Sequence, residues 1–468
     1  MKHTGLVNDQ EPGQGEDHIS SASSPQFSRE VLTPEQSGKL YSKITWRLIP
    51  LMFICYIIAY VDRINVGFAK LQLQEVLGVD ERVFGSVYGI GAGLFFIGYF
   101  LFEIPSNLIL QRVGARIWIA RIMIVWGIIS LLMMFISSTM GFYLIRFLLG
   151  IAEAGFYPGM ILYLTYWFPD KQRARTVALF ATGTVVAGIV GSPLSGAILE
   201  LHGFKGLEGW QWLFLLEGIP AVVMGLVVIL VLPDRPQKAR WLSSTEKAWI
   251  QSRLDEERLQ SKGTAHFRLS EAFKSGRIWL LCLIYFLLTV GIYGYEMWMP
   301  SIIKVFYVQS YSVVGLINAI PYLISVIVML IIGYHSDKTG ERRWHVAIAA
   351  FAAAAGFGFS AYLQNPYLAM IALMTSLIGL KSAMGPFWAL STTFLSGTAA
   401  AGGIALINSV GNLGGFVGPT LVGIVKDRTG SIEISLWILG GALLLMGILT
   451  LTIRSTNVAN SRVTGPGS

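Results

Sequence analysis

Twelve stretches of about 20 mostly apolar residues recur along this chain, each long enough to cross the hydrocarbon of a bilayer. They fall near 46–69, 84–110, 117–138, 140–169, 176–200 and 210–232, then near 278–303, 311–335, 344–363, 366–395, 399–425 and 432–453. Lipid offers no hydrogen bonds to a bare backbone, so runs of this length predict helices and not open strands. Hydrophobic residues make up 54% of the chain and charged ones 13%, a balance that suits lipid. The expected fold class is all-α integral membrane, with twelve transmembrane helices in two sets of six.

The expected bounds are a polar N-terminal tail over 1–45, a six-helix bundle over 46–232, a linker over 233–276, a second bundle over 277–454 and a C-terminal tail over 455–468. Residues 1–45 hold no short apolar core with a small-residue cleavage site, so the first crossing is expected to act as its own membrane address. Arg112, Arg116, Lys171, Arg173, Arg175, Lys338, Arg342 and Arg343 fall in alternate short loops. Basic loops stay in the cytoplasm, so both tails are expected there. The formal net charge of +8 then reflects topology and gives no reason to expect nucleic-acid binding. In the linker, Ser243 to Glu246 predicts the start of a short amphipathic helix on the membrane surface, with a plain solvated linker as the alternative.

Cys55 and Cys282 both lie inside apolar runs, which supports neither a disulfide framework nor a thiolate metal site. No two histidines share a metal-ligand spacing, and no cofactor is expected. A Gly-rich phosphate loop and a nucleophile elbow are also missing from the sequence, and the short loops leave no room for a catalytic domain. A membrane-embedded enzyme is thereby the weakest reading. A channel would reveal itself by single-channel currents.

The two halves are related by an offset of roughly 226 positions, which superposes Gly114 on Gly340, Arg112 on Lys338, Gly188 on Gly414 and Pro193 on Pro419. Repeats of this kind build transporter folds, with the binding site at the repeat interface near mid-membrane.

Ionisable residues inside apolar runs are costly, and they face a bundle interior or a water-filled cavity. The first run ends in Asp62, Arg63 and Asn65. A guanidinium offers a planar fork matched to a carboxylate, so Arg63 is expected to bind an organic anion, with Asn65 beside it; a permanent salt bridge is the alternative. The proton occupancy of Asp62 can then respond to whether that arginine is engaged. Arg146 and Glu153 lie seven residues apart on one face of the fourth crossing. Glu153 is expected to be a second protonation site, and Arg146 to stabilise its ionised form or link it to Asp62; packing glue is the alternative. Tyr99, Tyr157, Asn408 and Asn412 are further candidates to orient an anion through hydroxyl or amide groups. Glu103 and Glu217, each near a helix end, are expected to play structural roles with loop arginines.

The segment GYHSDKTGERR, with Gly333, Asp337, Lys338, Gly340, Arg342 and Arg343, resembles the cytoplasmic loop signature of the major facilitator superfamily. Its partner loop keeps Arg112, Gly114 and Arg116 but has Gln111 where the signature prefers Asp, which predicts a weaker charge lock in the N-terminal half. Narrower matches, DRINVGFA, GIAEAGFYPGMILYLTYWFP, WQWLFLLEGIPA and GPFWAL with LSGTAAAGGIALINSVGNLGGFVGP, are similar to the anion:cation symporter branch. Members carry organic anions such as tartrate, phthalate, hydroxyphenylacetate and sugar acids across bacterial inner membranes.

That resemblance implies a multi-pass inner-membrane protein, working as a monomer, that takes up a small organic anion with protons (or Na+) by alternating access. It also implies that the arginine at the Arg63 position contacts the substrate carboxylate, and it supports the roles given to Glu153 and Arg146. Glu296 and Lys381 depart from the family pattern, on the seventh and tenth helices that line the cavity in that fold. They are expected to meet as a pair or to grip a substrate, Lys381 taking a second anionic group and Glu296 a hydroxyl or ring nitrogen; snorkelling at helix ends is the alternative. Anion exchange or drug/proton antiport on the same fold is the rival function, since AGIVGSPLSG is reminiscent of the Gly-Pro motif of drug antiporters.

Overall fold

The computed structural model describes residues 32–169, 172–173, 176, 179–180, 182–262, 274–307, 310–393 and 398–453. Lys171, Arg175, the C-terminal tail and most of the N-terminal tail lie outside the described residues.

The first crossing is two helices, α1 (Pro34–Ile64) and α2 (Val66–Val76), interrupted at Asn65. The second and third crossings are α3 (Glu81–Val113) and α4 (Ala115–Leu132). The fourth divides into α5 (Thr139–Glu153) and α6 (Phe156–Thr165), around Gly155 at a left-handed φ of 84°. The fifth is α7 (Gly183–Leu199) and the sixth α8 (Gly209–Val231). After a linker helix, α9 (Ser244–Lys262), come α10 (Gly276–Glu296) with α11 (Met299–Tyr307), then α12 (Tyr311–Thr339), α13 (Arg343–Tyr362) and α14 (Pro366–Thr393). The last two crossings are α15 (Thr398–Asn412) with α16 (Gly414–Thr429), and α17 (Glu433–Thr452). Eleven of these units are long and apolar enough to span a bilayer, and the 17-residue apolar α7 completes twelve. Cys55 and Cys282 are buried and free.

One boundary, and the surroundings of the linker helix, differ from the sequence expectation. The first helix begins at Pro34, well ahead of Trp46, because Thr33 and Gln36 form a reciprocal capping box and Leu40 and Ile44 are buried. The linker helix also forms, capped by Ser243 and Glu246, but it docks on protein: Trp249, Ile250 and Leu254 are buried, and Tyr41 of α1 meets the Trp249 ring at 5.6 Å. Lys43 closes the contact with a 2.9 Å ion pair to Glu246.

Within the first bundle α4 packs on α8 and α3 on α5, and within the second α13 packs on α14 and α17. The bundles meet along α3 with α16 and along α7 with α12. Exchanging the halves turns the second crossing into the eighth and the eleventh into the fifth, so these two contacts are copies of one another. Each needs glycine. A Cβ on Gly423 would collide with the Gly85 carbonyl, and one on Gly315 with the Ser192 carbonyl. The repeat is equally visible in the turns, where Gly114 ends α3 at φ 99° and Gly340 ends α12 at φ 68°.

The bundle has a terminal face, where α1 begins and α17 ends, and a far face opposite.

Candidate functional site

Arg63, at the end of α1, sits where the two bundles meet. Its side chain is only 11% exposed, and its guanidinium donates to Glu153 at the end of α5 and to the Tyr293 hydroxyl of α10 at 3.2 Å. The aromatic rings of Tyr60, Phe95 and Tyr99 lie 5.9, 5.3 and 5.4 Å from its central carbon. The fork therefore points away from lipid into a cage built by both bundles, where a cation is held by ring faces and by one carboxylate that an anion can replace. Glu153 Oε2 has no hydrogen-bond partner, so the pair leaves one buried acceptor lone.

Asp62 does not join Arg63. Consecutive residues of a helix point about 100° apart, and Asp62 turns back into its own bundle to accept from Ser130 of α4 and, at 3.4 Å, from Asn65. Asn65, expected beside the anion, belongs to this inner cluster and is fully buried. No hydrogen bond joins Arg146 to Glu153 or to Asp62, although its guanidinium lies within electrostatic range of both carboxylates. Its Nη2 donates to the Ala92 carbonyl at 3.1 Å, and its Nε and Nη1 bond nothing. The Arg146 guanidinium lies 5.1 Å from the Phe95 ring, so the two arginines share Phe95 as a neighbour.

Glu296 and Lys381 meet as an ion pair at 2.7 Å, with side chains 0% and 1% exposed. Burial this complete excludes snorkelling. The Tyr60 hydroxyl donates to Glu296 Oε2 at 2.8 Å and accepts from Lys381 at 3.1 Å, and Tyr322 donates to Glu296 Oε1 at 3.2 Å.

Asn408 is already engaged: its amide donates to Glu103 Oε1 at 2.7 Å, and Ser409 donates to Oε2 at 2.9 Å. Glu103 thus bridges the bundles at the eleventh crossing instead of pairing with loop arginines. Glu217 is held by Ser195 at 2.7 Å, again without an arginine. Asn412 is buried at the break between α15 and α16. Tyr157 packs at a tilt on Tyr56, ring centroids 5.2 Å apart, and Tyr56 packs in turn on Tyr60. Tyr285, Phe387 and Trp388 form a corresponding aromatic group in the second bundle.

On the terminal face, Asp337 pairs with Arg342 at 2.6 Å, and Arg343 lies just beyond. Gly333 sits within α12, and Lys338 near its end is exposed. In the N-terminal half the acid missing at Gln111 comes from elsewhere: Asp234, after α8, accepts from the Arg116 backbone amide at 3.1 Å beside Gly114, while Arg112 is exposed. His335 and His345, either side of the same turn, face each other at 2.7 Å.

The far face is latched. Asp427 accepts from the Gly85 amide at 3.0 Å and the Ser86 hydroxyl at 2.6 Å, Tyr88 donates to the Met297 carbonyl at 2.9 Å, and Glu200 accepts from Ser310 at 2.7 Å. Lys70, buried over the Trp298 ring at 3.3 Å, donates to Ser301 at 3.1 Å. Every one of these bonds joins one bundle to the other.

The residues that sequence reasoning missed are Tyr60, Phe95, Ser130, Tyr293 and Tyr322. Tyrosines and phenylalanines are common in membrane helices, so only their i to i+3 spacing from Arg63 and Glu296 marked Tyr60 and Tyr293.

A family model described as Major Facilitator Superfamily matches residues 52–419. A relative from Agrobacterium vitis, provisionally named a tartrate transporter, is 48% identical over 90% of this chain and 93% of its own. A quinolone resistance transporter of Acinetobacter baumannii is 42% identical over 87% and 93%. The inward-open structure of the xylose transporter XylE from E. coli is similar in fold, with a TM-score of 0.70 at 15% identity over 88% of this chain and 96% of that one.

Proposed function

The chain belongs to the major facilitator superfamily of membrane transporters, and on that premise we propose that it carries a small carboxylate inward together with protons. The observation that supports this reading above all is the Arg63–Glu153 pair in its aromatic cage between the bundles. A substrate carboxylate takes Glu153's place on the guanidinium, and the buried glutamate left behind is tolerated only as the neutral acid. Binding of anion and proton are thereby linked. Asp62, bonded to Ser130 and not to Arg63, is a separate proton carrier.

The far face is closed by cross-bundle bonds, which corresponds to a state open or opening toward the terminal face. With the basic loops cytoplasmic, that is the releasing state in the bacterial inner membrane, and uptake follows when the bundles rock about the site. If more protons than negative charges enter, each net charge gains about 2.3 kcal/mol per 100 mV. The tartrate name of the Agrobacterium vitis relative supports a carboxylate substrate.

Purified protein in proteoliposomes tests the reading. Uptake of labelled organic acids should rise with an inward proton gradient and collapse with a protonophore, whereas Na+ gradients should have no effect. A second reading, proton-driven drug export, is favoured by the quinolone name of another relative. Quinolone counterflow without any organic-acid uptake would select it.

A further inference from the structure

Two cation–carboxylate pairs occupy the middle of the molecule, one in each bundle. Arg63 with Glu153 joins the first and fourth crossings, and Lys381 with Glu296 joins the tenth and seventh. Two tyrosines connect them. The Tyr60 ring lies 5.9 Å from the Arg63 central carbon and 5.0 Å from Lys381 Nζ, so the two cations share one aromatic neighbour. Tyr293, which accepts from Arg63, sits one turn before Glu296 on α10.

We propose that Lys381–Glu296 is a second exchangeable pair: the substrate is a dicarboxylate, one carboxylate on Arg63 and the other on Lys381, and Glu296 takes up a second proton when its lysine is taken. This rests on the reading of Arg63 and Glu153 above. Among the described residues Lys381 is the one cation within ion-pair distance of Glu296. Among the described residues that carboxylate's hydrogen-bond partners besides Lys381 are phenols, Tyr60 and Tyr322, and Tyr293 and Tyr295 lie within electrostatic range. A substrate carboxylate on Lys381 leaves Glu296 facing those phenols alone, in a site with no exposed surface. The charge left there is costly enough that the glutamate holds a proton instead. That proton enters from water on the open side and leaves when the substrate departs and Lys381 re-forms its pair. The second negative charge of the substrate is matched by one proton, so the charge of the site does not change.

The phenol of Tyr60 argues against a pair that is only structural. It belongs to the first bundle, yet it bonds both ions of the second, and those bonds have to break whenever the bundles move apart. The pair is therefore uncovered during each cycle. A latch built from the same bonds would alter turnover but not the number of protons carried.

Proton-to-substrate ratios measured from reversal potentials in proteoliposomes separate these cases, using malate and tartrate as dicarboxylates and lactate and glycerate as monocarboxylates. For the wild-type protein the ratio for dicarboxylates is expected to exceed that for monocarboxylates by one. In Glu296→Gln this difference should vanish, and in Lys381→Gln the preference for dicarboxylates should fall at least 10-fold. The double variant, which replaces the ions by two amides able to bond each other, guards against misfolding and should show the same loss of difference. Equal ratios for both classes in the wild-type protein, or an unchanged difference in Glu296→Gln or in the double variant, overturns the proposal. Proton-driven uptake with equal ratios refutes this inference alone, whereas uptake of every acid without protons refutes the function on which it rests.

Discussion

Asp62 and Arg63 are neighbours in the chain and face different partners: Arg63 reaches across to Glu153 and to Tyr293 of the other bundle, while Asp62 turns inward to Ser130. The helical step gives the cation and the carboxylate different partners.

Arg63→Lys keeps the charge and loses the fork. A charge-assisted hydrogen bond contributes about 1.5–3 kcal/mol, so substrate affinity should fall about 10- to 100-fold. Substrate-dependent thermal shift of the purified protein measures this without requiring transport.

Glu153→Gln and Asp62→Asn should differ. Removing the charge of Glu153 removes the competitor for Arg63, so anion binding should tighten while proton-driven accumulation is lost. Asp62→Asn should also abolish accumulation, yet change anion affinity by less than about 3-fold, or under about 0.7 kcal/mol, because Ser130 and not Arg63 is its partner. Binding and counterflow assays on both variants compare the two directly, and tightening in Asp62→Asn would contradict the geometry.

Asn408→Asp places a carboxyl group opposite Glu103. In place of a 2.7 Å donor Glu103 meets a like charge, at a cost of about 1–3 kcal/mol or more. Transport should drop sharply and the melting temperature should fall, whereas Asn408→Ser, which restores a donor, should recover part of both.

Gly423→Val puts a side chain where the Gly85 carbonyl now lies. Overpacking of about 1–3 kcal/mol falls on the closed far face and not on either bundle's own core. The variant should fold, lose transport, and hold the far face open. A cysteine introduced at Ser301 should then be labelled faster by a membrane-impermeant maleimide applied from that face.

Much of the architecture was legible in the residues. The apolar runs gave the crossings, because lipid leaves a backbone no other way to satisfy its hydrogen bonds. The repeat offset foretold the paired turns at Gly114 and Gly340. The start of α1 was misjudged because part of what holds its polar first turns, the pair of Lys43 with Glu246 of the linker helix, comes from some two hundred positions away, although the Thr33–Gln36 capping box is local. The seven-residue spacing of Arg146 and Glu153 indicated a shared face but could not tell that Arg63 arrives first.

The sequence by itself determined that this chain spans a membrane, that it is built twice, and that a few charges lie where lipid would otherwise surround them. Only the tertiary structure decided which partner each charge takes: Arg63 with Glu153, Glu103 with the neutral donors Asn408 and Ser409, and, of the alternatives the residues left open, Lys381 with Glu296. Periodicity reports the face on which a residue lies, but a buried ion pair forms between faces of different helices. Their relative rotation is set by packing, such as the glycine contacts of α3 with α16 and α7 with α12.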